Sequence, residues 1–125
     1  MRPGIDRVLD RARRRIKRVT AEVAAAEMQR GALLVDTRTE SQRAAQGEIP
    51  GALPIERNVL EWRLDPSSPS RIPEITSPDV RVIVLCAQGY SSTLAALSLL
   101  EVGLTNAADV IGGFDAWKAA GLPVR

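Results

Sequence analysis

Val82-Ile83-Val84-Leu85 is an apolar run that does not alternate with polar residues. A strand of that kind is buried on both faces, so the sheet that holds it needs helices on two sides. Arg81 to Leu85 reads as this strand, and the chain leaves it through a turn-rich loop, Cys86-Ala87-Gln88-Gly89-Tyr90-Ser91-Ser92. Thr93 to Val102 is then almost wholly apolar and stops at Gly103, the pattern of a helix packed on a sheet and closed by a glycine. Strand, loop and helix in that order define an α/β unit with a site candidate at the strand's C-terminal end.

The rest of the chain repeats the alternation. Ile5, Val8, Leu9, Ala12, Ile16 and Val19 recur at helical spacing with Arg and Lys between them, which predicts a basic amphipathic helix over residues 1–19, appended to a domain over 20–125. Thr20 is placed to cap a helix from Ala21 to Gln29. Leu33-Leu34-Val35 reads as a buried strand ending in Asp36-Thr37-Arg38, and Thr39 with Gln42 has the spacing of a capping box for a helix over 40–45. Leu53-Pro54-Ile55 suits a short edge strand, because proline gives no hydrogen to a ladder. Val59 to Leu64 reads as a helical turn, followed by a Pro- and Ser-rich excursion. Ala108 to Ile111 is a last strand, Gly112-Gly113 a tight turn and Phe114 to Ala120 a last helix. The expected fold is therefore a three-layer α/β domain with a mainly parallel central sheet.

Composition limits the chemistry. With 125 residues there is one domain. There is no histidine and a single cysteine, which excludes Cys-His and Ser-His-Asp catalysis, internal disulfides and most zinc sites. No cofactor and no metal are expected. No stretch approaches the roughly 20 apolar residues of a membrane span. The basic N-terminal start lacks the apolar stretch of a secretory signal, so a reducing, cytoplasmic setting is the default expectation. The net charge of +2 is uneven: residues 1–18 hold eight Arg or Lys against two Asp. Such a helix suits an anionic membrane surface or nucleic acid, or it lays its apolar stripe on the domain or a second subunit; the last reading is preferred and no nucleic acid is expected.

Cys86 admits two readings by position alone. As a lone strand residue it is a small buried hydrophobe. As the residue before a loop of five that feeds a helix, it is a thiol above converging backbone N–H groups and the positive helix end, an arrangement that favours thiolate. Gly89 supplies backbone freedom, and Ser91 or Ser92 caps the helix or donates to the anion.

Four segments carry a resemblance: Leu34-Val35-Asp36-Thr37-Arg38, Gly47-Glu48-Ile49-Pro50-Gly51-Ala52, the Cys86–Ser92 loop, and Ile111-Gly112-Gly113-Phe114-Asp115-Ala116-Trp117. In this order they resemble the signatures of a single-domain rhodanese, a sulfurtransferase family. The resemblance implies that Cys86 takes a sulfane sulfur as a persulfide, that the backbone of Ala87, Gln88, Gly89, Tyr90, Ser91 and Ser92 cradles the anion, and that a nucleophile such as a small thiol or a thioredoxin-like protein removes the sulfur. Asp36 and Arg38 then serve as structural support. The sulfur donor is thiosulfate or a persulfide.

Two departures bear on the donor. Glu48 stands where the family usually has histidine, and the loop has no Arg or Lys, which predicts weak turnover of a doubly charged donor. Arg57 either compensates from the segment after the neighbouring strand or pairs with Glu56 or Glu61. Tyr90 is either an exposed gate or packs on Trp62. Related cysteine phosphatases carry an arginine six positions after the nucleophile, and here that position is Ser92, so phosphatase chemistry is not expected. The alternative to turnover is a non-enzymatic rhodanese-like module that carries persulfide to one partner or only docks.

Overall fold

In the computed structural model, which describes residues 2–125, five parallel strands form one sheet: β1 (Lys17–Val19), β2 (Leu33–Asp36), β3 (Leu53–Pro54), β4 (Val82–Leu85) and β5 (Ala107–Val110). Their order is β1-β5-β4-β2-β3. Six helices cover it: α1 (Gly4–Arg15), α2 (Ala21–Met28), α3 (Glu40–Gln46), α4 (Leu60–Leu64), α5 (Ser91–Glu101) and α6 (Gly113–Ala119), with a 3-10 turn at Arg57–Val59 leading into α4.

The central strand shows how the layers arise. All four residues of β4 are buried, and successive side chains point to opposite faces. Val82 and Val84 join one core with Ala95, Ala96 and Leu99 of α5 and Leu60 and Leu64 of α4. Ile83 and Leu85 join the other with Ala21 and Ala24 of α2 and Phe114 and Trp117 of α6. Two separate cores require the non-alternating apolar run. The chain steps from β2 outward to β3, returns on the other side of β2 to β4, and continues away to β5 and β1's neighbourhood. This reversal opens a crevice beyond the carboxyl ends of β2 and β4, where ligands bind in open α/β sheets. Cys86 follows β4 at that crevice.

Local signals act as expected. Thr20 Oγ1 accepts from Val23 N–H. Thr39 and Gln42 close both halves of a capping box on α3. Pro54 lies in the edge strand β3, where its missing hydrogen costs no ladder bond.

One element departs from expectation. The basic helix of residues 1–19 is shorter than its periodicity suggests: α1 stops at Arg15, and Ile16 is extended at φ −102°, ψ 161°. Met1 lies outside the described residues. Lys17, Arg18 and Val19 instead pair with Ala108, Asp109 and Val110, so β1 covers the backbone of β5 that would otherwise be a bare edge. Ile16 drops its side chain into the core beside α5 and α4, while Leu9 and Ala12 of α1 are buried too. Tertiary pairing thus overrides a helical pattern that Arg, Lys and Ile alone would tolerate. The helix keeps the favourable end of its dipole, with Arg13, Arg14 and Arg15 in its last turn. No helix among the described residues is long and apolar enough to cross a membrane.

Candidate active site

The cysteine sits where the strand hands over to α5. Cys86 is 6% exposed, and its Sγ accepts the Gly89 N–H at 3.2 Å and the Ser92 N–H at 3.3 Å. No side chain caps α5. The sulfur takes that place, receiving one of the N–H groups that the first turn of any helix leaves free. Burial pushes the Cys86 thiol up; the hydroxyls of Ser92 and Ser91 and the N–H groups of Ser92 and Gly89 pull it down and prevail, leaving it below the ordinary thiol value. The Ser92 hydroxyl has a single hydrogen, and Asp109 Oδ2 lies 2.8 Å from it. A carboxylate is the stronger competitor, so the two backbone donors are the constant part of the stabilisation.

This balance sets a pH dependence. The thiolate is the reacting form, so depression of the pKa moves reactivity towards lower pH. Alkylation of Cys86 by iodoacetamide is expected to rise through a midpoint below the ordinary value of about 8.5. A midpoint at or above that value would show that burial prevails over the amides.

The loop is braced from behind by the Gly112-Gly113 turn. Phe114 N–H donates to the Cys86 carbonyl at 2.8 Å and Asp115 N–H to the Ala87 carbonyl at 3.1 Å. The approach is so close that a Cβ on Gly113 would strike the Cys86 carbonyl and lie 2.8 Å from the nitrogens of both Gln88 and Gly89. Gly113 also has φ +59°, where other residues are strained. The second glycine of the turn is thus a requirement of the cysteine loop, not only of chain reversal.

Asp36 and Arg38 form a buried pair below the site. Arg38 Nη2 donates to Asp36 Oδ2 at 2.8 Å and to the Gly47 carbonyl at 2.9 Å, and its guanidinium lies 3.8 Å from the centre of the Phe114 ring. Phe114 is the residue whose N–H holds the Cys86 carbonyl, so the pair supports the loop through one ring. Of the other expected positions, Ala87 is half-buried, Gly89 and Ser92 are buried, and Gln88 and Ser91 are exposed. Tyr90 is 59% exposed at the rim, with the Arg13 guanidinium 5.9 Å from its ring centre. Trp62 is exposed as well. Arg57 gives its Nη1 hydrogens to both Glu61 oxygens, at 3.0 and 2.9 Å.

Residues 20–120 match the rhodanese-like domain. The chain belongs to the rhodanese family. Thiosulfate sulfurtransferase GlpE of Haemophilus influenzae is 36% identical over 108 residues, covering 86% of this chain and 93% of that protein. Among solved structures, a Rhodopseudomonas palustris protein of unknown function, described as a possible tyrosine phosphatase, has a TM-score of 0.87 and 34% identity over 100% of this chain and 96% of its own. A polysulfide-sulfur transferase homodimer from Wolinella succinogenes has a TM-score of 0.75 over 94% of this chain and 83% of its own; at 24% identity the likeness is one of fold.

The rhodanese loop here is held by residues that local sequence reading did not assemble. Asp109 is completely buried and accepts from Arg18 Nε at 2.8 Å, Ser92 Oγ at 2.8 Å and Thr93 Oγ1 at 2.9 Å. Arg18 Nη2 reaches on to the Gly89 carbonyl at 3.1 Å, and Arg13 Nη2 lies 3.3 Å from the same oxygen. A carboxylate inside an apolar strand was a readable signal that a cation must come to meet it. Which cation was not readable, because the partner depends on residues 17–19 being a strand.

Proposed function

We propose that this chain is a sulfurtransferase in which Cys86 carries the sulfur as a persulfide. The observation that supports this most is the pair of backbone N–H groups at 3.2 and 3.3 Å from Sγ at the start of α5, a cradle for sulfur anions that needs no imidazole and no metal. The sulfurtransferase names of the relatives point the same way.

The reaction runs in two displacements. The Cys86 thiolate attacks the outer sulfur of a donor such as thiosulfate; a Cys86–S bond forms, the donor's S–S bond breaks, and sulfite leaves with the bonding pair. The product is Cys86–S–S⁻, whose negative charge is moved outward by one atom within the same cradle. An external thiolate then attacks the outer sulfur, forms its own persulfide and returns Cys86 as thiolate. The acceptor has to come from outside, because no other cysteine exists in the chain. Glutathione, another small thiol or a thioredoxin-like protein supplies this chemistry, and persulfides serve as alternative donors.

Phosphate transfer is disfavoured in spite of the description given to the Rhodopseudomonas protein. Ser92 occupies the position of the phosphate-binding arginine, and its hydroxyl donates to Asp109. Arg13 and Arg18, the guanidinium groups nearest the loop by hydrogen bonding, are turned to the Gly89 carbonyl.

Intact mass measurement after incubation with thiosulfate, a polysulfide and a small persulfide tests the proposal. The expected result is a gain of one sulfur atom that a thiol removes. Absence of any adduct with all three donors would sink the carrier mechanism and leave a docking module.

A further inference from the structure

We propose that Arg18 and Arg13 are positioning residues of the thiol site: together they hold the Gly89–Tyr90 peptide with its carbonyl outward and its N–H turned to the cradle. The inference rests on the sulfurtransfer reading for its purpose but not for its geometry.

Two guanidinium donors converge on one carbonyl. The Gly89 oxygen receives Arg18 Nη2 at 3.1 Å and Arg13 Nη2 at 3.3 Å; Thr93 Oγ1 lies 3.4 Å away but gives its one hydrogen to Asp109, while the N–H of Gly89 points to Cys86 Sγ. A trans peptide carries its C=O and N–H in opposite directions, and every peptide among the described residues is trans. Fixing the Gly89 oxygen on the arginine side therefore directs the Tyr90 N–H away from the arginines. That N–H has no partner among the described residues, which leaves it free for the outer sulfur of a persulfide or an oxygen of an anionic donor.

This peptide is the one in the loop that most needs outside control. Gly89 sits at φ +85°, where glycine alone moves freely, so the loop's own sequence does not determine the peptide's orientation. Arg18 supplies the determination because it is itself fixed. Its Nε and Nη2 grip both oxygens of Asp109, whose Oδ2 also receives the hydroxyls of Ser92 and Thr93 at the start of α5. One buried carboxylate thus ties β1, β5, the first turn of α5 and the loop into a single frame. Arg13 is steadied by the Tyr90 ring, and its buried Nε has no hydrogen-bond partner among the described residues. The cations missing from the loop's own sequence are delivered by α1 and β1.

The test uses the full chain with Arg18→Gln, Arg13→Gln and Arg18→Lys, and follows iodoacetamide alkylation of Cys86 against pH beside single-turnover sulfur loading. In Arg18→Gln the alkylation midpoint is expected to rise by about half to one pH unit, slowing reaction at neutral pH roughly 3- to 10-fold, with rates converging at high pH. Arg13→Gln shifts in the same direction by less, and lysine at 18 restores part of the loss, since it offers hydrogens to both Asp109 and Gly89. Unchanged midpoints in both glutamine variants would overturn the proposal. Should Arg18→Gln fail to fold through its effect on Asp109, Arg13→Gln decides alone, because it leaves that carboxylate paired. Wild-type protein that takes up no sulfur, with variants whose midpoints shift, would overturn the sulfurtransfer reading and keep the arginine clamp; loading with unshifted midpoints would do the reverse.

Discussion

Cys86→Ser is expected to reduce sulfur transfer to the uncatalysed background, a loss of roughly 10⁶-fold or more by the usual scale of enzymatic acceleration. A serine hydroxyl does not ionise at neutral pH and forms no persulfide. The chain offers no substitute, since there is no second cysteine. The fold is expected to survive, because a hydroxyl at the same place still accepts from the Gly89 and Ser92 N–H groups that the sulfur engages. Persulfide formation on the acceptor thiol and thermal unfolding, measured on the same preparation, separate these effects. Residual turnover above background in a folded serine variant would remove Cys86 from the mechanism.

The largest stability effect is expected at Arg38, one of the largest fully buried side chains. Arg38→Met is expected to cost about 3–5 kcal/mol, the range for leaving one member of a buried pair without its partner. The variant leaves Asp36, itself 1% exposed, without the guanidinium that now binds both its oxygens. It also removes the donor to the Gly47 carbonyl and the cation over Phe114. Against a typical domain stability of about 5–15 kcal/mol, such a loss is visible directly in a urea titration. Adding Asp36→Asn to the methionine variant removes the stranded charge and is expected to recover part of the loss. A single-variant cost below about 1 kcal/mol, or a double variant no better than the single, would refute the account.

The parts of this molecule that were legible in its sequence are those set by neighbours along the chain. Val82–Leu85 announced a doubly covered strand, Thr39 and Gln42 announced the start of α3, and the change from apolar run to Gly- and Ser-bearing loop placed Cys86 at a strand end. Two kinds of information were not local. Lys17–Val19 continue a helical pattern perfectly well, and only the open edge of β5 makes them a strand. The partners of Asp109 follow from that pairing, which sets Arg18 directly across from it. The apparent neutrality of the cysteine loop was likewise a property of its own seven residues, whereas its cations arrive from positions 13 and 18. Gly113 was readable as a turn residue, but its contact with Gln88 and Gly89 exists only once β4 and β5 lie side by side.

The ion pair between Arg18 and Asp109 joins positions 91 apart in the chain. Such a tie forms late, because the entropy of closing so long a loop must be met before the contact gives anything back. A partly folded molecule with α5 and the central strands in place is therefore expected to keep the Ser92 N–H on the sulfur but to lack the arginine hold on Gly89, so that the last part of the thiol's acidity arrives only when the first strand docks. The titration of Cys86 would then report whether folding has finished.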